Sequence, residues 1–160
     1  MEEHAINPAD LRRTLGAFPT GVTVITTRSA AGEPVGMTAS SFNALSLDPP
    51  LVLWSIGRGS RNHDSFAAAT HWAVHVLARE QRELAECFSQ RDNNRFAGLA
   101  TEDGLHGLPL LRGCAARLEC RATARHIAGD HLLLIGEILR LSHEATEPLV
   151  FHASSYKSCT

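Results

Sequence analysis

Three short stretches of this chain carry residue types that hold small ligands better than they fill a core. In Met37 Thr38 Ala39 Ser40 Ser41 Phe42 Asn43, small and hydroxylated side chains cluster where a packed strand would carry Val or Ile. Small side chains leave backbone N–H groups accessible, and the hydroxyls of Thr38, Ser40 and Ser41 can hydrogen-bond a flat heteroaromatic ring or a phosphate. A plain edge strand is the competing reading. Ser60 Arg61 Asn62 opens a short predicted helix over 61–69, where positive charge beside unpaired helix N–H groups suits an anion. Ser60 acting only as a helix cap accounts for the same residues. His131 follows a tight Gly129 Asp130 turn and precedes an apolar strand, which would hold its ring at a rim; a lone surface histidine is the alternative.

Other chemistries fit less well. Among the nine histidines only His71 and His75 share helix-ligand spacing, and they flank a strand-like stretch with no carboxylate or cysteine at a metal-binding interval, so no metal is expected. Gly57 Arg58 Gly59 lacks the third glycine of a dinucleotide fingerprint, and there is no P-loop. The four cysteines show no CxxC spacing, and Cys120 reads as a buried free thiol. With 15 basic and 17 acidic side chains scattered along 160 residues, nucleic acid is disfavoured. Met1 Glu2 Glu3 His4 does not resemble a signal peptide, and no apolar run is long enough to span a bilayer. The expected location is cytoplasmic, with no membrane association.

The length predicts one domain over 1–160. Asn7 and Pro8 open a short helix in which Leu11, Leu15 and Phe18 are spaced to face a core. Gly21 to Thr27 is a β-branched strand that reverses at Ala31 Gly32 Glu33 Pro34 into a second strand from about Val35. Leu51 to Ile56 and Trp72 to Leu77 are further strands, and 80–90 reads as the one long mid-chain helix, with Leu84, Ala85 and Phe88 on one face. Between Cys114 and Ile127, Ala116, Leu118, Cys120, Ala122 and Ala124 alternate with Arg117, Glu119, Arg121, Thr123 and Arg125, a strand with one wet face. Ala128 Gly129 Asp130 turns it into an apolar partner from Leu132 to Leu141. About six short strands with few helices predict a mainly β fold closed as a barrel.

In this setting the chain resembles the flavin reductase-like family with the FMN-binding split-barrel fold, from about Asp10 to Tyr156. The resemblance rests on Phe18 Pro19 Thr20 Gly21 Val22, on Gly36 to Phe42, on Ser46 Leu47 Asp48 Pro49 Pro50 Leu51 Val52, on Arg95 Phe96 Ala97 Gly98, on Leu118 Glu119 Cys120, and on Gly129 Asp130 His131 with the strand through Gly136 and Glu137. It implies a six-stranded antiparallel Greek-key split barrel that forms a homodimer. It also implies reduction of FMN or FAD by NADH or NADPH, with the reduced flavin supplied to a partner monooxygenase. Carried over residue by residue, Thr38, Ala39, Ser40 and Ser41 line the flavin ring and ribityl chain. Ser55, Ser60, Arg61 and Asn62 hold the ribityl chain and phosphate, and Phe88, Ser89 and Arg91 meet the phosphate or an adenylate, although Phe88 also reads as ordinary core. His131 stands beside the nicotinamide as the catalytic residue, and Tyr156 closes the motif set at the cofactor site. Relatives carry glycine before that tyrosine, whereas this chain has Ser154 and Ser155, so a position needing positive φ would be strained here. A flavin-binding carrier or sensor on the same fold, and a flavoprotein reductase of a corrinoid or iron complex, are the alternatives.

Overall fold

A computed structural model describes residues 5–91 and 95–160. Met1 to His4 lie outside the described residues. Helix α1 spans Pro8–Gly16; the Asn7 side chain accepts from the N–H groups of Ala9 (2.8 Å) and Asp10 (3.3 Å), and Pro8 takes the first helical position. Its apolar face does not meet the core. Leu11, Leu15 and Phe18 are 44%, 64% and 73% exposed, so helical spacing alone misplaced them: the helix lies outside the sheets.

The β-branched and apolar runs form strands as their composition dictates. In chain order these are β1 (Thr20–Gly21), β2 (Thr23–Arg28), β3 (Pro34–Ala39), β4 (Asn43–Leu47) and β5 (Pro50–Gly57), then α2 (His63–Ala68) and β6 (His71–Val76). A 3₁₀ turn (Arg79–Gln81) leads into α3 (Arg82–Ser89), which splits the helix expected over 80–90. After it come β7 (Thr101–Asp103), β8 (Pro109–Leu111), β9 (Ala116–Ala128), β10 (His131–His143), β11 (Val150–His152) and β12 (Ser155–Lys157).

Seven of these form one antiparallel sheet in the order β3-β2-β6-β9-β10-β5-β4, and the remainder pair as β1-β11-β12 and β7-β8. The expected count of six strands is therefore corrected. The segment 37–43, read as one strand, breaks at Ser40–Phe42 and supplies strands to both ends of the sheet. Those three residues connect the two outermost strands, so the sheet must curl until its ends lie within roughly 14 Å, although no ladder joins β3 to β4.

The inside of the curl is filled by Trp54, Trp72 and Phe66, all fully buried. Trp54 meets Phe66 edge-on at 4.8 Å and Trp72 at 6.0 Å, which seats α2 against the sheet. Cys120 belongs to this core, and burial pushes its thiol up to about 12, so it is an inert buried thiol at neutral pH. A second cluster packs α3 against the other side through Ala85 and Phe88, with Val22, Val24 and Leu111.

One residue of β9 departs from the expected wet face. Glu119 is 5% exposed; Arg140 on the neighbouring strand donates to it at 2.5 and 2.8 Å, and the Leu105 N–H donates at 2.6 Å. Gly104 makes room for this carboxylate, because a Cβ there would lie 2.6 Å from its Oε2. A buried carboxylate needs such partners, and alternation cannot reveal them.

The expected strain near the C-terminus is present. β11 and β12 are joined by the two residues Ala153 and Ser154, with φ +49° and +61°, the handedness a two-residue hairpin turn requires. Neither is glycine or asparagine. Ser154→Gly is expected to stabilise the fold by about 0.5–1 kcal/mol, read as a higher urea midpoint with unchanged slope.

Candidate functional site

Three segments far apart in sequence meet at the curl's edge. β3 contributes Met37 and Thr38; the loop after β5 contributes Gly59, Ser60, Arg61 and Asn62; the end of α3 and the chain after it contribute Phe88, Ser89, Arg91 and Arg95. Together they line a cleft of about 350 Å³. A smaller cleft of about 270 Å³ shares Arg61, Asn62 and Arg95 and continues over Pro34, Val35, Gly36 and Phe96.

Local chemistry explains why these segments converge. The Thr38 hydroxyl donates to the Ala85 carbonyl (2.7 Å), tying β3 to α3. Gly36 lets the aromatic rings approach, since a Cβ there would lie 2.6 Å from the Phe88 ring. Phe88 is fully buried and meets Phe96 edge-on at 5.0 Å, so it is both core and part of the cleft wall. The Gly36 carbonyl accepts from Arg95 (2.7 Å) and from Asn62 (3.5 Å), and the Arg61 guanidinium donates to the Arg91 carbonyl. Ser60 is not the helix cap: α2 begins at His63 with Asn62 before it, and the Ser60 hydroxyl accepts from the Asn62 N–H (3.3 Å). The predicted helix over 61–69 is thus shortened, because 60–62 form a turn around that hydroxyl.

The cleft therefore collects Thr38, Ser60, Arg61, Asn62, Phe88, Ser89 and Arg91 from the predicted set. Others build its surroundings. Ala39 packs into the core, and its carbonyl accepts from the Thr23 hydroxyl (2.6 Å). Ser41 donates to the Ser55 carbonyl (2.9 Å) and accepts from the Ser55 N–H (3.0 Å), standing in for the backbone partner that β5 loses where β4 ends. Ser40 is exposed at the break between β3 and β4. Tyr156 lies apart from the lining, against Phe151 and beneath the Arg82 guanidinium at 5.6 Å.

His131 does not line the cleft, yet it borders the loop that does. It opens β10 opposite Gly57, the last residue of β5, and the Arg58 N–H donates to the Asp130 carbonyl (2.8 Å) as the loop departs toward Ser60. Its Nδ1 lies 2.7 Å from the Asp130 carboxylate. That hydrogen bond holds the Asp130 carboxyl below the usual carboxylate range.

Sequence reading assigned no role to Met37, Gly59 or Arg95. Arg95 carried a signal, its place in the Arg95 Phe96 Ala97 Gly98 run, but its approach to Gly36 depends on how the chain returns to β3. A larger cavity of about 760 Å³ lies elsewhere, between the 27–31 turn, α2 and the stacked rings of His71 and His106 at 3.8 Å. It shares no lining residue with either cleft, and its lining mixes four alanines and Leu108 with polar side chains that include Arg28, Asp64, His71 and His106.

The donor set of the 350 Å³ cleft suits a phosphorylated ligand. Three arginines, the three hydroxyl side chains of Thr38, Ser60 and Ser89 and one carboxamide line it, and no carboxylate does so among the described residues. Among the described residues no group of three or more metal-ligating side chains is brought together, and no helix is long and apolar enough to cross a membrane.

Comparison with known proteins identifies the family. The model of the flavin reductase like domain matches residues 15–160. The chain is 45% identical over 150 residues to the FMN reductase (NADH) SmoA of Agrobacterium fabrum, covering 94% of this chain and 85% of that protein. It is 38% identical to the reductase component of the flavin-dependent trigonelline monooxygenase of Acinetobacter baylyi, covering 97% of this chain and only 50% of that longer protein. The NADH:FAD oxidoreductase SgcE6 of Streptomyces globisporus, solved in complex with NAD and FAD fragments, superposes with a TM-score of 0.88 at 36% identity, over 96% of this chain and 95% of the other. Matched from Leu15 to its last residue and similar to these reductases over nearly its full length, the chain belongs to the flavin reductase-like domain family.

Proposed function

We propose that this protein is an NAD(P)H-dependent flavin reductase that takes hydride from reduced nicotinamide, passes it to FMN or FAD, and supplies reduced flavin to a partner monooxygenase. The observation that carries this reading is the convergence of β3, the 59–62 loop and the end of α3 on one arginine-lined cleft, beside the turn that presents His131. Flavin and nicotinamide supply the hydride chemistry when bound; the chain's own residues bind and orient them. Arg61, Arg91 and Arg95 attract the phosphate, Ser60, Asn62 and Ser89 give it directed polar contacts, and the backbone from Thr38 at the end of β3 through Ser41, with Ser55, borders the flavin ring. His131 positions the donor from the rim, and Tyr156 supports the site from behind α3. The names of the relatives support both the activity and a monooxygenase partner.

The protein acts as a single domain and a homodimer, its curled sheet working as a split barrel. Leu47 and Leu141, exposed by 96% and 64%, and the open face of α1 support a covering copy.

The test is anaerobic mixing of the purified protein with excess FMN or FAD and NADH or NADPH, followed at the flavin's visible absorption band. Catalytic bleaching is expected; tight flavin binding without nicotinamide oxidation would instead identify a carrier. In the same assay His131→Ala is expected to lower kcat/KM for NADH about 100-fold, the cost of a misplaced reactant, while flavin affinity from fluorescence quenching stays within about twofold. Unchanged turnover would remove His131 from the site.

A further inference from the structure

We infer that Asp130 is a positioning residue for the hydride donor: its carboxylate fixes His131 in the tautomer that carries the proton on Nδ1, so that Nε2 presents a lone pair to an amide N–H of the donor. The inference rests on the reading of His131 as a donor-side residue.

The turn itself places the two groups. Ala128 and His131 are paired residues of β9 and β10, leaving Gly129 and Asp130 as a two-residue loop. Gly129 takes φ +59° while Asp130 does not take a positive φ, the arrangement of a II′ hairpin, in which only the first loop residue must be glycine. Asp130 is then held from two sides. Its carbonyl accepts from the Arg58 N–H (2.8 Å), fixing its backbone to the strand that leads into the cleft loop. Its carboxylate stands 2.7 Å from Nδ1 of His131.

A carboxylate at neutral pH has no proton to give, so a hydrogen bond to Nδ1 requires Nδ1 to be the donor. In the neutral ring Nε2 is then the acceptor. This reverses the ordinary preference of a free imidazole for a proton on Nε2, and the neighbouring residue supplies the bias. The depressed carboxyl of Asp130 is the same interaction seen from its other partner. Nε2 lies over Gly57, 4.0 Å from where a Cβ on that residue would sit, so bare backbone flanks it on the side of the cleft loop. An amide N–H of the donor approaching along that backbone meets an acceptor. The other tautomer would meet it with a second N–H.

The pair is exposed, with the Asp130 carboxylate almost fully solvated, so it contributes little to folding; what it supplies is orientation. Removing it separates the two roles. In the full-length protein with ¹⁵N-labelled histidines, the His131 signals are assigned by their loss in His131→Gln, and the tautomer is read from the two ring-nitrogen shifts of the neutral ring. The wild type is expected to show a protonated Nδ1 and a bare Nε2. Asp130→Ala is expected to move the proton to Nε2 and to lower kcat/KM for NADH about 3- to 10-fold, the worth of one exposed charge-assisted hydrogen bond, with flavin affinity unchanged. Asp130→Gly keeps a hairpin-competent Gly-Gly loop and repeats the measurement if the alanine variant misfolds.

A His131 tautomer that is the same with and without the carboxylate would overturn the inference at its root. A switched tautomer with undiminished kcat/KM would overturn it as well. In that case His131→Ala tells which part failed: an active alanine variant refutes the donor-side reading of His131, and an inactive one refutes only the need for this tautomer.

Discussion

Between about pH 6.5 and about pH 4 the protein is expected to lose about 3 kcal/mol of stability through one residue, His75. His75 is fully buried on β6, with Nδ1 3.0 Å from the Val24 carbonyl and the Leu111 N–H donating to Nε2 at 3.1 Å. Both ring nitrogens are satisfied by a neutral imidazole that is protonated on Nδ1. A second proton would break the bond from Leu111 and place a charge in the core, and burial accordingly pushes the group down to about 4. The unfolded chain takes up that proton near 6.5, whereas the folded chain resists it until about 4. Unfolding is therefore linked to proton uptake in this window, and the stabilisation present above it disappears as the pH falls through it. Urea titrations at both ends of the window measure the effect. In His75→Gln the pH-dependent part should largely vanish, even though the variant is less stable at neutral pH. An equal acid loss in both proteins would assign the effect to carboxylates such as Glu102, whose pairing with Arg117 also favours the charged form.

Gly136→Ala is expected to cost about 3 kcal/mol, the upper part of the range for overpacking a rigid core. Gly136 sits on β10 opposite Ala122, beside a register shift in the β9–β10 ladder. An added Cβ would lie 2.5 and 2.7 Å from the Trp72 indole and 3.2 Å from the Arg121 carbonyl. Backbone cannot retreat within a paired strand, so the indole must move. Trp72 packs on Trp54, and Trp54 on Phe66 of α2, the helix that follows the 59–62 loop. The substitution should therefore weaken flavin binding as well as stability. Trp72→Leu in the same chain makes room for the methyl and should recover part of the loss, a non-additivity that thermal or urea melts of the single and double variants will show. Simple additivity would mean that the two side chains do not contend for the same space.

Much of this arrangement was legible in the residues. β-Branched runs mark strands because such side chains pack well on a pleated surface, and Gly129 Asp130 marks a hairpin because few residues accept its backbone. Helical spacing at Leu11, Leu15 and Phe18 was misread because periodicity reports an apolar face without saying what covers it. Glu119 looked solvated for a related reason: the Arg140 and Leu105 groups that compensate its charge come from a neighbouring strand and a loop. The hydroxyls of Thr38 and Ser41, expected as ligand contacts, also bond to the backbone of Ala85 and Ser55 and so hold the cleft's frame, partners that local sequence does not reveal.

The sequence by itself determined the local conformations, the all-antiparallel character of the main sheet and the residue types available for phosphate and nicotinamide, because backbone preference and side-chain chemistry act over a few residues. Only the tertiary structure decided that Arg61, Arg91 and Arg95 face one cleft, that Gly36 and Gly136 are spaces kept open for Phe88 and Trp72, and that Asp130, beside His131, also holds the loop leading to that cleft. Those are contacts between strands and loops distant along the chain, and they exist only once the sheet has curled.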